Sequence, residues 1–159
     1  MTTAPDFPRV HIATDHAGME LSAHLVGHLS AKGYDVVDHG PKVYDALDDY
    51  PSFCINAARA VVADQAAGTR ALGIVLGGSG NGEQIAANKV KGTRAALAYN
   101  EDTARLAREH NDANVISIGA RMHSETEALD LFLLFLSTPF SNDPRHLRRI
   151  ELMREYEAR

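Results

Sequence analysis

A chain of 159 residues, 45% of them apolar, is long enough for one domain with a proper core and leaves little room for two. A formal net charge of -5 disfavours a general nucleic-acid or membrane-surface binder, so any anion site has to be local. The single cysteine, Cys54, has no partner for an internal disulfide or a zinc site, which fits a reducing cytoplasm and a small buried apolar residue.

The chain opens without a basic start or an apolar stretch, so neither a signal peptide nor a transit peptide is indicated and a cytoplasmic location is expected. Val10 to Ala13 reads as a first strand, followed by Asp15-His16-Ala17-Gly18, where an Asp at a strand-to-helix junction is often no more than a helix N-cap. Paired with His16 at the same rim, Asp15 can also accept a sugar hydroxyl while His16 donates to a ring oxygen or a phosphate. Leu21, Leu25, His28 and Leu29 mark one face of a first helix. His24 and His28 have the spacing of a metal pair, but without the Glu of H-E-x-x-H or a third ligand nearby they read as a half-buried helix face.

Val36 to Val37, Leu72 to Leu76, Ala95 to Ala98 and Val115 to Ile118 are further strand-like runs, each separated from the next by longer segments with helical spacing. Thr103, Leu106, Ala107 and His110 mark the face of one such helix, where His110-Asn111 suits the C-terminal end and its cap. Alternating strands and helices of this kind predict a single α/β domain over 1–159, with a parallel sheet between helical layers. Arg121 follows the fifth strand. Leu131 to Leu136 is the longest apolar run, far short of the roughly 20 residues that cross a bilayer. Ala128 to Leu136, apolar nearly all round, predicts a helix covered on more than one side and hints at a subunit interface. Pro144 opens a C-terminal basic helix, on which Arg145 and Arg149 share one side, as two guanidinium forks for a phosphate monoester would.

The most informative stretch is GGSGNGE, Gly77 to Glu83, placed where a third strand meets a helix. Read as a dinucleotide-binding G-x-G-x-x-G from Gly78, it meets Glu83 instead of the third glycine. Read as a P-loop from Gly77, it presents Glu83 and Gln84 where Lys and Ser or Thr must meet phosphate and magnesium. Read as a nucleophile elbow around Ser79, it breaks at Asn81, which disfavours a serine hydrolase. What remains is a run of backbone amides beside a carboxylate. Proton abstraction next to a carbonyl needs those two parts, a base and ready donors for the enediolate oxygen. The plainer alternative is a tight turn with Glu83 in the first turn of a helix, where the macrodipole favours it.

Taken together, DHAG (15–18), DDYPSFC (48–54), GGSGNGEQIAANK (77–89), AREHNDANVISIGAR (107–121) and RHLRR (145–149) resemble ribose-5-phosphate isomerase type B, in the wider family that includes the galactose-6-phosphate isomerase subunits. The resemblance spans nearly the whole chain. It implies a Rossmann-like three-layer sandwich with a five-stranded parallel sheet, a homodimer or dimer of dimers, and interconversion of D-ribose 5-phosphate and D-ribulose 5-phosphate without metal or cofactor. Carried over by position, Glu83 corresponds to the base, and Ser79 with the amides from Gly78 through Gly80 and Asn81 to Gly82 corresponds to the enediolate-binding hole. Asp15 and His110 correspond to residues that assist ring opening, and Asn111 and Tyr50 to sugar contacts. His16, Arg121, Arg145 and Arg149 correspond to phosphate ligands. The resemblance also implies a pocket between two subunits, the His-Asn pair coming from the neighbour. Many members carry a reactive cysteine as base at the end of the third strand, where this chain has Gly77, so the chain looks like the glutamate-bearing, actinobacterial-like branch. The nearest rival keeps the chemistry and changes the sugar, to erythrulose 4-phosphate or a hexose 6-phosphate such as allose or galactose 6-phosphate. A non-catalytic anion or nucleotide sensor on the same topology is a rival of another class, and the charge of Glu83 counts against it.

Overall fold

The computed structural model describes residues 6–159; the reading of the extreme N-terminus falls partly on residues 1–5, outside the described residues. Five strands, β1 (Arg9–Ala13), β2 (Val36–Asp38), β3 (Ala71–Gly77), β4 (Ala95–Leu97) and β5 (Val115–Gly119), form one sheet in the order β2-β1-β3-β5-β4, and every pairing is parallel. The helices α1 (Met19–Ala31), α2 (Tyr50–Ala66), α3 (Asn81–Ala87), α4 (Glu101–Asn111), α5 (Glu125–Ser137) and α6 (Pro144–Glu157) connect and follow them. None of the described helices is long and apolar enough to cross a membrane.

Side-chain alternation along the strands builds two cores. Val10 and Ile12 of β1, Ile74 and Leu76 of β3, and Ile116 and Ile118 of β5 face a large-residue layer with Leu25 and Leu29 of α1, Ala104 of α4, and Phe132 and Phe135 of α5. Ala13, Val75 and Val115 face the other way, toward Cys54, Ala57, Ala58 and Val61 of α2 and Ala86 and Ala87 of α3. The second layer is made of small residues, which let α2 sit close to the sheet; a Cβ on Gly73 would lie 3.0 Å from both Val61 and Val115. The result is the expected three-layer sandwich.

Local sequence fixes the helix starts. Asn100 with Thr103 and Ser124 with Glu127 form capping boxes at α4 and α5, and Asp143 accepts from the Arg145 amide ahead of α6, with Pro144 in its first turn. One expectation needs correction, and another is met within the chain. At the end of α4 the left-handed cap is Asp112, with φ 44°, rather than Asn111, which completes the helix. The apolar surface of α5 is mostly spent within the chain: Ala128, Leu131, Phe132, Phe135 and Leu136 are buried, and only Leu129, Leu133 and Leu134 are left half-buried against the same core. Its all-round apolarity therefore reflects a helix packed between α1, α4 and β5.

Strand order locates the cleft. From β1 the chain moves outward to β2 on one side, and β3 lies on the other, so the loops after β1 and β3 part company at the carboxyl ends of two adjacent strands. In open parallel sheets, ligands bind in that crevice.

Candidate active site

The loop after β1 carries Asp15 and His16, and the loop after β3 runs from Gly78 to Gly80 into α3, so the topology brings both to one rim. Asp15 is buried and caps the short 3-10 turn His16–Gly18, accepting from the Ala17 amide at 2.9 Å. The bland reading of Asp15 as a cap is thus correct, and it is compatible with a second role. Glu83, in the first turn of α3, is only 4% exposed. Its carboxylate lies against the end of β3, where a Cβ on Gly77 would collide with it. A side chain at 77 and the glutamate at 83 compete for the same volume, which accounts physically for the glycine at 77.

Burial raises the Glu83 pKa above the ordinary glutamate value and the charge of nearby Asp15 adds to the rise, while the backbone amides of Glu83 and Gly80 partly offset it. A carboxyl moved upward from its free value is better matched to taking a proton near neutral pH. Cys54 sits fully buried on α2, and its thiol is pushed far up by burial and by the charges of Glu83 and Asp15, so it stays an inert thiol.

Gly80 holds a left-handed φ of 83°, and a Cβ there would stand 3.0 Å from the Ile118 carbonyl carbon and 3.1 Å from the Gly119 nitrogen. The loop is therefore laid directly on the end of β5. The buried Ser117 hydroxyl donates to the Gly80 carbonyl at 2.7 Å, fixing it from below. Ser79 is exposed, and its Oγ accepts weakly from the Asn81 amide and side chain, both at 3.3 Å. The amides of Ser79 and Gly82 bond no other described residue, so they stay available as donors. Of the expected amide run, Gly80 instead faces the Glu83 carboxylate and Asn81 is taken by Ser79.

Tyr50, at the start of α2, reaches the same rim; its hydroxyl abuts Gly82 so closely that a Cβ there would collide with it. The guanidinium of Arg121 lies over Gly78, and the Arg121 amide donates to the Gly78 carbonyl at 3.1 Å. Asp15, His16, Tyr50, Ser79, Glu83 and Arg121 thus converge.

His110, Asn111, Arg145 and Arg149 do not join them. The Asn111 carbonyl accepts from Arg94, the residue preceding β4, at 3.0 Å, which puts the end of α4 at the amino rim of the sheet. Ser141 donates its amide to the Glu109 carbonyl and the His146 ring lies tilted against His110 with centroids 4.3 Å apart, so α6 and its arginines begin at that same rim. The two rims are separated by the length of a strand, about 15 to 20 Å.

Three residues that support the candidate ones were not read from the sequence. Asp48 accepts from His16 Nδ1 at 2.7 Å and from its backbone amide at 3.2 Å. Ser117 anchors Gly80, and a serine inside the apolar strand VISIG was the available signal. His146 is buried beside His110 with its pKa lowered by burial and then by that neighbour, and its Nδ1 pairs with Ser141 Oγ at 2.8 Å. Asp15, His16 and Asp48 are the one group of three potential metal ligands among the described residues, with atoms within 4.8 Å of one another. The 2.7 Å separation of His16 Nδ1 and Asp48 Oδ1 is that of a hydrogen bond.

A groove of about 810 Å³ between the edge strand β4, α3 and α6 does not include Glu83 in its lining. Its volume is not the guide to chemistry here, because the buried carboxylate and the free amides sit at the β1/β3 rim.

Comparison with known proteins agrees with this fold. A family model described as Ribose/Galactose Isomerase matches residues 10–153. Ribose-5-phosphate isomerase B of Mycolicibacterium paratuberculosis is 56% identical over 149 residues, covering 94% of this chain and 91% of its own. The protein of the same name from Mycobacterium tuberculosis is 55% identical over 149 residues, covering 94% and 90%. Among solved structures, ribose-5-phosphate isomerase B from Mycoplasma genitalium with bound ribulose-5-phosphate superposes with a TM-score of 0.87 at 40% identity, covering 94% of this chain and 96% of that one. With fold and sequence in agreement over nearly the whole chain, it belongs to the Ribose/Galactose Isomerase family.

Proposed function

We propose that the protein, as one sugar-phosphate isomerase domain over 1–159, interconverts D-ribose 5-phosphate and D-ribulose 5-phosphate through a cis-enediolate with Glu83 as the base. The observation behind this is the Glu83 carboxylate, buried against Gly77 with its pKa raised, beside the unoccupied amides of Ser79 and Gly82. After the furanose opens, the carboxylate takes the C2 proton; the C–H electron pair forms a C1–C2 double bond as the carbonyl pair moves onto the C1 oxygen, which the amides and Ser79 receive; the C2 hydroxyl proton passes to the C1 oxygen, and Glu83 returns its proton to C1 as the C2 carbonyl forms. Asp15 accepts the anomeric hydroxyl proton during opening, Tyr50 contacts the sugar, and His16 and Arg121 hold the phosphate. Relatives named ribose-5-phosphate isomerase B, one of them solved with ribulose-5-phosphate bound, support this choice of substrate.

His110, Asn111, Arg145 and Arg149 take part in this reading from a second copy of the chain, His110 assisting ring opening and the arginines closing on the phosphate. The separation of the two rims within one chain supports that arrangement. The groove along β4, lined by Leu97, Tyr99, Ile150, Met153 and Tyr156, offers the apolar surface for the contact. Measurement of kcat/KM on four-, five- and six-carbon sugar phosphates tests the substrate. Ribose 5-phosphate is expected to give the highest value, and a higher value for erythrulose 4-phosphate or a hexose 6-phosphate would replace it.

A further inference from the structure

We infer that Asp48 is a positioning residue for this reaction, acting through His16 to fix which ring nitrogen meets the substrate's phosphate. The inference rests on the reading of His16 as a phosphate ligand. One oxygen, Asp48 Oδ1, accepts from both the His16 backbone amide at 3.2 Å and the His16 ring Nδ1 at 2.7 Å, gripping the residue at two points. The turn that presents Asp48 is itself tied: Asp45 Oδ1 accepts from the Leu47 amide at 2.9 Å, and the Asp48 amide donates to the Asp45 carbonyl at 3.1 Å. Tyr50, two residues on, leaves the same turn for the catalytic rim.

The Asp48 side chain is only 9% exposed, and its second oxygen, Oδ2, is buried without a hydrogen-bond partner among the described residues. A carboxylate kept in that state is costly, and as a mere turn former it could be replaced by residues that bury less charge. Among the described residues its one ion-pair partner is the His16 imidazole, and the Asp15 carboxylate also lies within 4.8 Å of the pair. An ionised carboxylate only accepts hydrogen bonds, so Nδ1 of His16 has to carry the proton and Nε2 is the nitrogen left for the ligand. A phosphate oxygen is also an acceptor. Held between the two anions, the ring offers a proton at each nitrogen, and the liganded site contains an imidazolium whose charge Asp48 balances. Asp48 thereby orients His16 and keeps its donor available to the phosphate.

The test combines 15N-histidine NMR of the full-length protein, titrated with inorganic phosphate, with kinetics of Asp48→Asn and Asp48→Ala on ribose 5-phosphate. Expected in the wild type are a protonated His16 Nδ1 without phosphate and protons on both nitrogens at saturation. Asp48→Ala should lose the Nδ1–H preference and raise KM roughly tenfold to a hundredfold with kcat within about threefold. Asp48→Asn keeps an acceptor oxygen without the charge, so it should retain the tautomer and fall between the two in KM. An unprotonated Nδ1 in the wild type overturns the inference. So does an Asp48→Ala protein with unchanged KM, or a loss confined to kcat that Asn does not recover. Failure of the wild type to turn over ribose 5-phosphate would instead overturn the isomerase reading, whereas the tautomer is read without turnover.

Discussion

Glu83 meets two opposed demands, because the burial that suits it to proton transfer also makes its charge expensive to hold. Its pKa is raised chiefly by desolvation, with Asp15 adding to the effect. A native pKa above the unfolded one means that the protein's relative stability is greatest below the unfolded value and declines as pH rises through the native value. Glutamine at 83 has the same shape and no such decline. Glu83→Gln should therefore melt higher than wild type at neutral pH and lose that advantage near pH 4, as followed by thermal unfolding across the range; a lower melting temperature at neutral pH would show that the charge is well compensated after all. The residue was legible in the sequence because two glycine-loop chemistries failed at its position and a third failed at Asn81. Asp48 was not, since a carboxylate in an exposed-looking DDYP run gives no sign that it folds back 32 residues to reach His16.

Strands and helices were the most legible level, because the central strands, buried on both faces, read as mainly apolar runs, and all five expected runs are strands of the sheet. The order β2-β1-β3-β5-β4 was not legible, because apolar runs do not encode their neighbours. The α5 helix illustrates a second limit, since a helix wedged between two others and a strand has the same all-round apolarity as one at an interface. The junction of β3 with α3 is where element geometry becomes chemistry. A Cβ at Gly77 collides with the far end of a flexible side chain, so the carboxylate can swing aside without disturbing the sheet. Gly77→Ala should accordingly keep its melting temperature within a few degrees of wild type while kcat falls about a hundredfold or more. Retention of wild-type kcat would mean that the observed placement of Glu83 is not the working one.

Considered as a unit, the molecule divides its candidate machinery between opposite rims of one sheet. Sequence spacing could not show this, although α4 runs antiparallel to the strands and so must return His110 to the amino side. A site built from two copies makes a prediction that a site within one chain does not. Mixing unfolded Glu83→Gln and Arg149→Ala proteins and refolding them together should restore up to about a quarter of wild-type activity, since half of randomly paired dimers contain one intact site of two. Refolded mixtures no more active than the average of the two parents would place all the working residues in one chain.

The most direct test of the account is solvent-deuterium incorporation into ribose 5-phosphate and ribulose 5-phosphate by Glu83→Gln compared with wild type. The account predicts that exchange and turnover fall together by roughly 10² to 10⁴. Exchange at a near-wild-type rate in the Glu83→Gln protein would contradict it, because another group would then be removing the proton.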